Sequence, residues 1–144
     1  MPVKPVPDGY HTVTPYLQVA DLPALLQYVQ AAFGAKVVEQ AADASGNVRH
    51  AEFTIGDSRV MAGQGRDEWP ARPAGLYLYV EDTDATYQAA MSAGGTSLME
   101  PADQFYGDRN AGVQDPQGNY WWIATRFEDL TPEELQRRSA EQMK

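Results

Sequence analysis

His50 and Glu52 are the two residues whose types and spacing most directly indicate chemistry in this sequence. They lie two positions apart in a segment of alternating apolar and polar residues, so on a β-strand both side chains face one way, about 6–7 Å apart. An imidazole beside a carboxylate can act as a general base or form half of a metal site. An exposed or interface pair has the same spacing and is the more frequent case. A metal would need a third ligand, and His11, the other histidine, follows an extended arm and is expected to be exposed.

Aromatic side chains form a second candidate group. In the predicted strands, alternation assigns them to the face opposite the apolar residues. Such a face suits a flat or apolar small molecule, because the rings offer stacking area and the hydroxyl groups fix orientation. Packing against a second subunit or against the C-terminal helix would produce the same pattern. The candidate ligand-binding residues of these strands are Thr14, Tyr16, Tyr77, Tyr79, Tyr120 and Trp122.

A polar and aromatic loop, predicted between Pro101 and Arg109, could close over this face. Phe105 and Tyr106 would then contact a ligand, Tyr106 by stacking, while Arg109 would meet an anionic or carbonyl group. The alternative is a turn in which Asp108 and Arg109 pair and brace the loop. Loops carry function more often than strands do, so we keep Phe105, Tyr106 and Arg109 as candidate ligand-binding residues.

Composition bounds the class of protein. A chain of 144 residues is most simply one domain, long enough to bury about two thirds of its unfolded surface. The absence of cysteine excludes disulfides, thiol nucleophiles and thiolate metal sites, and fits a cytoplasmic protein. A net charge of −9 argues against nucleic-acid binding, which needs clustered lysine and arginine. No apolar run approaches the roughly 20 residues of a membrane span, and the N-terminus lacks the apolar core of a signal peptide, so we expect no membrane association.

The order of predicted elements is strand, helix and three strands, and it occurs twice. Asp21 is a candidate N-cap for the first helix, which Gly34 would end, and Asp82 or Thr83 is the candidate for the second. The predicted boundaries are about 12–64 for the first module, 65–73 for a linker, about 74–125 for the second module and about 131–142 for a C-terminal helix.

A fixed register relates the two modules. Residues 17–21 superpose on residues 78–82 with an offset of 61, and the same offset carries Gly34 onto Gly95. A constant offset across a strand, a cap and a helix end indicates an internal repeat. The sequence therefore predicts an α+β domain of two β-α-β-β-β modules, each too small to bury its own sheet alone.

Several short motifs carry a resemblance to a known family. They are Val19-Ala20-Asp21 and Phe33-Gly34-Ala35 in the first module, and Val80-Glu81-Asp82, the loop 103–109 and the turn 115–119 in the second. In this order they resemble the glyoxalase/bleomycin-resistance/dioxygenase superfamily, also called vicinal oxygen chelate, and the loop resembles a glyoxalase-like bacterial branch of it. The resemblance implies two paired β-α-β-β-β modules that form a cupped mixed sheet, with the aromatic residues on its concave face.

The resemblance also implies where a metal would bind. Metal-dependent members of the superfamily place a histidine, glutamine or glutamate on each of four strands. Those positions fall on Thr14, Gly75, Trp122 and either Met61 or Ala62 in this sequence. None is a carboxylate or imidazole donor for a divalent cation. We therefore expect no metal and no cofactor at this site.

Together these features predict a metal-independent small-molecule-binding protein of bleomycin-resistance type, with an aromatic or amphiphilic ligand in a cleft lined by tyrosine and tryptophan. The alternative is a lyase or isomerase of the superfamily, with His50 or Glu52 as a base or displaced metal ligand. A purely structural dimerisation module is a third reading. We expect a homodimer, because cupped sheets leave edges and apolar faces to cover.

Overall fold

A computed structural model of the protein describes residues 2–143, which form eight strands and three helices. The elements in chain order are β1 (Tyr16–Val19), α1 (Leu22–Phe33), β2 (Lys36–Ala42), β3 (Val48–Ile55), β4 (Ser58–Gln64), β5 (Gly75–Tyr79), α2 (Thr83–Ser92), β6 (Thr96–Asp103), β7 (Asp108–Gln114), β8 (Tyr120–Arg126) and α3 (Pro132–Gln142).

The eight strands form two mixed sheets of four, with the orders β1-β4-β3-β2 and β5-β8-β7-β6. In each sheet the first strand runs parallel to its neighbour, and the remaining pairs are antiparallel. Tyr16 pairs with Met61 in the first sheet and Tyr77 pairs with Trp122 in the second. The offset of 61 residues carries each member of the first pair onto the equivalent member of the second. The predicted α+β fold with duplicated modules is confirmed.

The first two helices begin as their sequences predict. The side chain of Asp21 accepts a hydrogen bond from the backbone N–H of Ala24 at 3.1 Å, and Asp82 does the same for Ala85. These bonds satisfy N–H groups that have no partner within the helix. Gly34 ends α1 in the left-handed conformation, with φ of 65°, which is why a glycine suits that position.

The core lies between the helix-covered faces of the two sheets. Helix α1 packs against the first sheet, α2 packs against the second, and the two helices pack against each other. Two contacts join the modules: the rings of Phe33 and Trp121 lie 4.7 Å apart, and the Tyr28 hydroxyl donates to the carbonyl of Ala90 at 3.0 Å. The opposite face of each sheet, called its outer face below, is therefore left outside the core.

Two boundaries differ from the sequence-based expectation. Strand β1 begins at Tyr16 rather than at residue 12, because Pro15 immediately before it has no N–H to continue the ladder. The expected loop 101–109 shortens to residues 104–107, since irregular pairing between Met99 and Ala102 lets edge strand β6 accommodate Pro101.

The predicted C-terminal helix is present and is tied to the second module by one arginine. Thr131 caps α3 by accepting from the N–H of Glu134 at 3.1 Å. Arg138 donates to the carbonyl of Phe105 at 3.0 Å and pairs with the carboxylate of Glu128 at 2.5 Å. The helix thus braces the loop that contains Phe105. Within residues 2–143, none of the helices is long and apolar enough to cross a bilayer.

Candidate functional site

The outer face of the first sheet carries a hydrogen-bonded series of three side chains. His50 Nε2 lies 3.0 Å from Glu52 Oε2, and His50 Nδ1 lies 3.4 Å from the Tyr16 hydroxyl. If Nε2 carries the proton and donates to the carboxylate, Nδ1 is left to accept from the tyrosine. Glu52 is only 7% exposed, and its Oε1 is buried without a hydrogen-bond partner. His50 and Glu52 thus share a face, as their spacing predicts.

Gly63 makes the contact between Tyr16 and His50 possible. This residue pairs with His50 across the sheet, and a Cβ atom at its position would lie 2.6 Å from the Tyr16 hydroxyl. The tyrosine ring therefore lies over a place where no side chain stands. The contact between Tyr16 and His50 depends on strand order, because β4 lies between the strand of Tyr16 and the strand of His50.

A buried carboxylate organises the outer face of the second sheet. Asp108 is 2% exposed and accepts from the hydroxyls of Tyr77 at 2.7 Å and Tyr79 at 2.9 Å. Arg126 Nε donates to the other oxygen of Asp108 at 2.7 Å. Burial of its hydroxyl end raises the pKa of Tyr77, and the adjacent Asp108 charge adds to the effect. Both tyrosine rings are fixed at their polar ends and leave ring surface exposed.

Asn110 ties the loop to this cluster. Its amide nitrogen lies 3.1 Å from the Tyr77 hydroxyl and 2.6 Å from the Tyr106 hydroxyl, and its Oδ1 is buried without a partner. The ring of Phe105 meets the ring of Tyr106 edge-on, with centroids 5.2 Å apart. The structure therefore brings Tyr106 to Tyr77, while Phe105 lies against Tyr106.

The two adjacent tryptophans have different surroundings. Trp121 is in the core, and its Nε1 donates to the buried carboxylate of Asp115 at 2.8 Å. Trp122 lies on the outer face and covers Gly112, where a Cβ atom would be 2.3 Å from the ring. Tyr120, two positions earlier on the same face, is 45% exposed. The two adjacent tryptophans therefore lie on opposite faces of β8, with Trp121 in the core and Trp122 facing outward.

Arg109 does not join the other candidate residues. It lies on the helix-covered face of β7 and donates to Asp84 at 3.0 Å and to Asp103 at 3.1 Å. The expected turn between Asp108 and Arg109 is also absent from residues 2–143, because the two side chains point to opposite faces of the strand. We therefore leave Arg109 out of the candidate site. Thr14 lies before β1, where its hydroxyl donates to the carbonyl of His11 at 3.3 Å.

The candidate residues of the outer faces form two groups, one on each sheet. The group on the first sheet contains His50 and the group on the second contains Asp108, and within residues 2–143 no hydrogen bond or ring contact joins them. Between β1 and β5 lies a groove of about 1070 Å³. Tyr16 of the first group and Tyr77 and Tyr79 of the second contribute to its lining, beside apolar side chains that include Leu17, Leu76, Leu78 and Trp121.

Asp108, Asn110 and Arg126 are the site residues that the sequence analysis missed. Alternation along β7 places Asp108 and Asn110 on the face opposite Ala111 and Val113, so the pattern contains a usable signal. The signal was obscured because Asp108 was assigned to a loop.

The positions that would hold a metal in this fold do not suit one. The expected donor positions are Thr14, Gly75, Trp122 and either Met61 or Ala62, whose side chains are a hydroxyl, a hydrogen atom, an indole and an apolar group. In residues 2–143, no three or more histidine, aspartate or glutamate side chains come together in a way that could hold a metal ion. The donor set therefore does not fit a divalent cation.

Comparison with known proteins agrees with this architecture. The model of the Glyoxalase/Bleomycin resistance protein/Dioxygenase superfamily matches residues 10–123, which include both modules almost completely. The chain belongs to this superfamily.

Individual relatives share the fold at low identity. An uncharacterized protein of Mycobacterium tuberculosis is 28% identical over 135 residues, covering 86% of this chain and 79% of the relative. The crystal structure of TioX from Micromonospora sp. ML1 superposes with a TM-score of 0.68 at 19% identity, covering 80% of this chain and 99% of TioX. A glyoxalase-related enzyme from Fulvimarina pelagi has a TM-score of 0.66 at 19% identity, covering 81% and 88% of the two chains. These structures establish likeness of fold alone.

Proposed function

We propose that the protein binds an aromatic or amphiphilic small molecule without the help of a metal. The observation that carries this proposal is the outer face of the second sheet, where a buried carboxylate, Asp108, holds the rings of Tyr77 and Tyr79 by their hydroxyls. The lack of suitable donors at the superfamily's metal positions supports it further.

Rigid rings are a physical reason to expect binding at this face. Tyr79 is 60% exposed, yet its hydroxyl is bonded to Asp108 and lies 3.4 Å from Arg126 Nη2. A ring that is already ordered loses little conformational entropy when a ligand stacks on it. Its polar end is already paired, so an apolar ligand buries ring carbon without leaving a buried hydroxyl unsatisfied. Trp122 extends the same face with an indole.

A thermal-shift screen of chelator-treated protein with naphthalene and biphenyl derivatives tests the proposal. Ligands that bind only the folded state raise the unfolding midpoint. We expect midpoint rises that persist without added metal and are lost in Trp122→Ala. The control Leu135→Ala on α3, which is exposed and belongs to neither sheet, should behave as wild type. Binding that requires added Zn²⁺, Ni²⁺, Mn²⁺ or Fe²⁺ would contradict the proposal.

A second candidate, an enzyme that transfers a proton as a lyase or isomerase does, is favoured by the geometry of the first sheet. Glu52 fixes the orientation of His50, and the free ring nitrogen faces the exposed Tyr16 hydroxyl. In this candidate the Tyr16 hydroxyl gives its proton to His50, the Tyr16 oxygen takes a proton from the substrate, and Glu52 stabilises the imidazolium that forms. The arrangement differs from the expected one, in which His50 or Glu52 itself was the base.

Hydrogen exchange at carbon distinguishes the two functions. We would follow the α-hydrogens of hydroxyacetone in D₂O by NMR, with and without the protein. The enzyme candidate predicts exchange above the buffer rate that falls together in Tyr16→Phe, His50→Gln and Glu52→Gln, while Trp122→Ala retains it. If the three variants keep ligand affinity and no exchange above buffer occurs in the wild type, the enzyme candidate fails and the binding function stands.

We also propose that two copies of the chain assemble into a homodimer. The outer faces expose aromatic side chains of both modules, including Tyr16 and Tyr120. The groove between β1 and β5 adds an apolar surface. Exposed apolar patches of this extent mark interaction surfaces in soluble proteins. Self-association would also supply the second wall that each outer face lacks within one chain.

A further inference from the structure

We infer that the outer face of the first sheet, together with the turn of residues 66–69, binds planar aromatic anions such as arylcarboxylates. Trp69 provides the stacking surface and Arg66 provides the cation. The inference goes beyond the proposed function, because it assigns an anionic ligand to a separate pocket on the first sheet. Neither residue belongs to the candidate groups described above.

The turn that carries Trp69 is held firmly above the sheet. Arg66 and Trp69 exchange two backbone hydrogen bonds of 2.9 Å each, and Gln18 Nε2 donates to the carbonyl of Trp69 at 3.1 Å. On either side of the turn, the N–H of Gly65 donates to Val19 at 2.7 Å and the N–H of Arg72 donates to Gln18 at 3.1 Å. The chain is thus fixed to β1 before, within and after the turn.

Trp69 is nevertheless 62% exposed. A large apolar ring on a well-fixed backbone, with most of its surface in water, is available for a planar partner at little entropic cost. The pocket beside it has a volume of about 850 Å³, within the range of small-molecule sites. Its lining includes Tyr16, Gln18, Arg49, Gly63, Arg66 and Trp69.

The charges of the pocket favour an anion. Arg49 pairs with Asp43 at 2.9 Å, so those two charges balance. Arg66 makes no ion pair with any of residues 2–143, although Asp67 and Glu68 follow it in the same turn. A guanidinium can bind a carboxylate through two parallel hydrogen bonds.

The rest of the molecule makes this arrangement selective. The chain carries a net charge of −9, which repels anions in general, so binding must be local to a site with an unmatched cation. A cationic ligand would meet two guanidinium groups, those of Arg49 and Arg66, against the single carboxylate of Asp43. Arg109, the arginine expected to meet an anion, is instead paired with two aspartates. Among the residues that line this pocket, Arg66 is the guanidinium without an ion-pair partner in residues 2–143.

Two probes that differ in charge but share one ring test the inference: 2-naphthoate and 2-naphthamide. Binding is followed through the indole ¹H–¹⁵N signals, assigned with Trp69→Phe and Trp122→Phe. We expect 2-naphthoate to shift the Trp69 signal and to bind about two- to fivefold more tightly than 2-naphthamide, as for a partly exposed ion pair. Arg66→Gln should reduce the affinity for 2-naphthoate to that for 2-naphthamide and leave the affinity for 2-naphthamide unchanged. Arg137→Gln on α3 is the matched control and should change neither.

Each other result overturns the inference in a recognisable way. Equal affinities for the two probes, or an unchanged difference in Arg66→Gln, would show that Arg66 does not select the anion. A shift of the Trp122 signal with none at Trp69 would place the ligand on the second sheet, which overturns this inference and leaves the proposed function intact. No shift with either probe, combined with a negative thermal-shift screen, would overturn both.

Discussion

Tyr16 and Tyr77 occupy equivalent positions in the two modules, and each hydroxyl reaches the equivalent residue two strands away. In the first module the partner is His50, whose Nδ1 lies 3.4 Å from the hydroxyl, and in the second it is Asn110, whose amide nitrogen lies 3.1 Å away. Tyr16 lies over Gly63 in the strand between, and the counterpart of Gly63 in the second module is Ala124, which pairs with Asn110. The two modules therefore share the position of the tyrosine ring and differ in the side chain that its hydroxyl meets.

That change separates the roles of the two faces. An imidazole can take a proton from Tyr16, whereas a carboxamide cannot take one from Tyr77. The second module instead holds Tyr77 with Asp108, at 2.7 Å. The second face is thus built to fix its rings, and the first retains groups that can exchange protons.

Alanine substitution at two glycines should distinguish a contact with a mobile side-chain end from a contact with a packed ring. A Cβ atom at Gly63 meets the hydroxyl end of Tyr16, which can swing into solvent, so Gly63→Ala should lower the free energy of unfolding by less than about 1 kcal/mol. At Gly112 it meets the body of the Trp122 ring at 2.3 Å, so Gly112→Ala should cost about 1–3 kcal/mol. Urea unfolding of both variants measures the difference. Equal costs would contradict the assigned packing of Trp122.

Removal of the buried carboxylate on the second sheet should destabilise the fold. Asp108→Ala leaves the hydroxyls of Tyr77 and Tyr79 without their acceptor, and we expect a loss of about 2–4 kcal/mol in urea unfolding. Asp129 is the matched control, because it pairs with the same Arg126 at 3.6 Å but is almost fully exposed. Asp129→Ala should change stability by less than about 0.5 kcal/mol. Similar effects of the two substitutions would contradict the role assigned to Asp108.

The raised pKa of Tyr77 should make the fold sensitive to alkali. Burial of the hydroxyl, which points to Asp108, keeps Tyr77 protonated in the folded state at a pH where an unfolded tyrosine, with a pKa near 10, loses its proton. The contribution of Tyr77 to the free energy of unfolding is complete below about pH 10 and declines above it, because only the unfolded state then releases the proton. Tyr77→Phe should therefore show a shallower fall of the urea midpoint between pH 9 and 11. Parallel declines in the two proteins would contradict this assignment.

Local patterns were enough to predict the repeating part of the fold. The caps Asp21 and Asp82 and the turn that begins at Asp115 act through bonds to residues two to four positions away, so their signals are contained in short segments. The shared face of His50 and Glu52 follows from the two-residue period of a strand.

The composition of the site could not be predicted in the same way. The contact of Tyr16 with His50 depends on which strand separates them, and the strand order is set by packing across the whole module. Arg109 was expected in a loop because Pro101 indicated one, whereas irregular pairing of β6 lets the strand continue and fixes which residue of β7 faces outward. Trp69 carries no periodic signal, since its place is set by bonds to Gln18 in another part of the chain.

Self-association should depend on the outer faces and not on the distant sheet edge. We expect sedimentation equilibrium of the wild type to give twice the chain mass of 15.9 kDa. Tyr120→Glu places a charge on the exposed aromatic surface without removing a side-chain hydrogen bond of residues 2–143, so it should weaken the dimer at least about tenfold, the effect of desolvating one charge at an interface. Val38→Glu is the matched control on edge strand β2, where a charge is well tolerated and association should be unchanged.

Circular dichroism would confirm that both variants fold. A wild type of single-chain mass, or a Tyr120→Glu dimer as strong as the wild type, would contradict an interface built on these faces, because a buried carboxylate next to aromatic rings cannot be accommodated without cost.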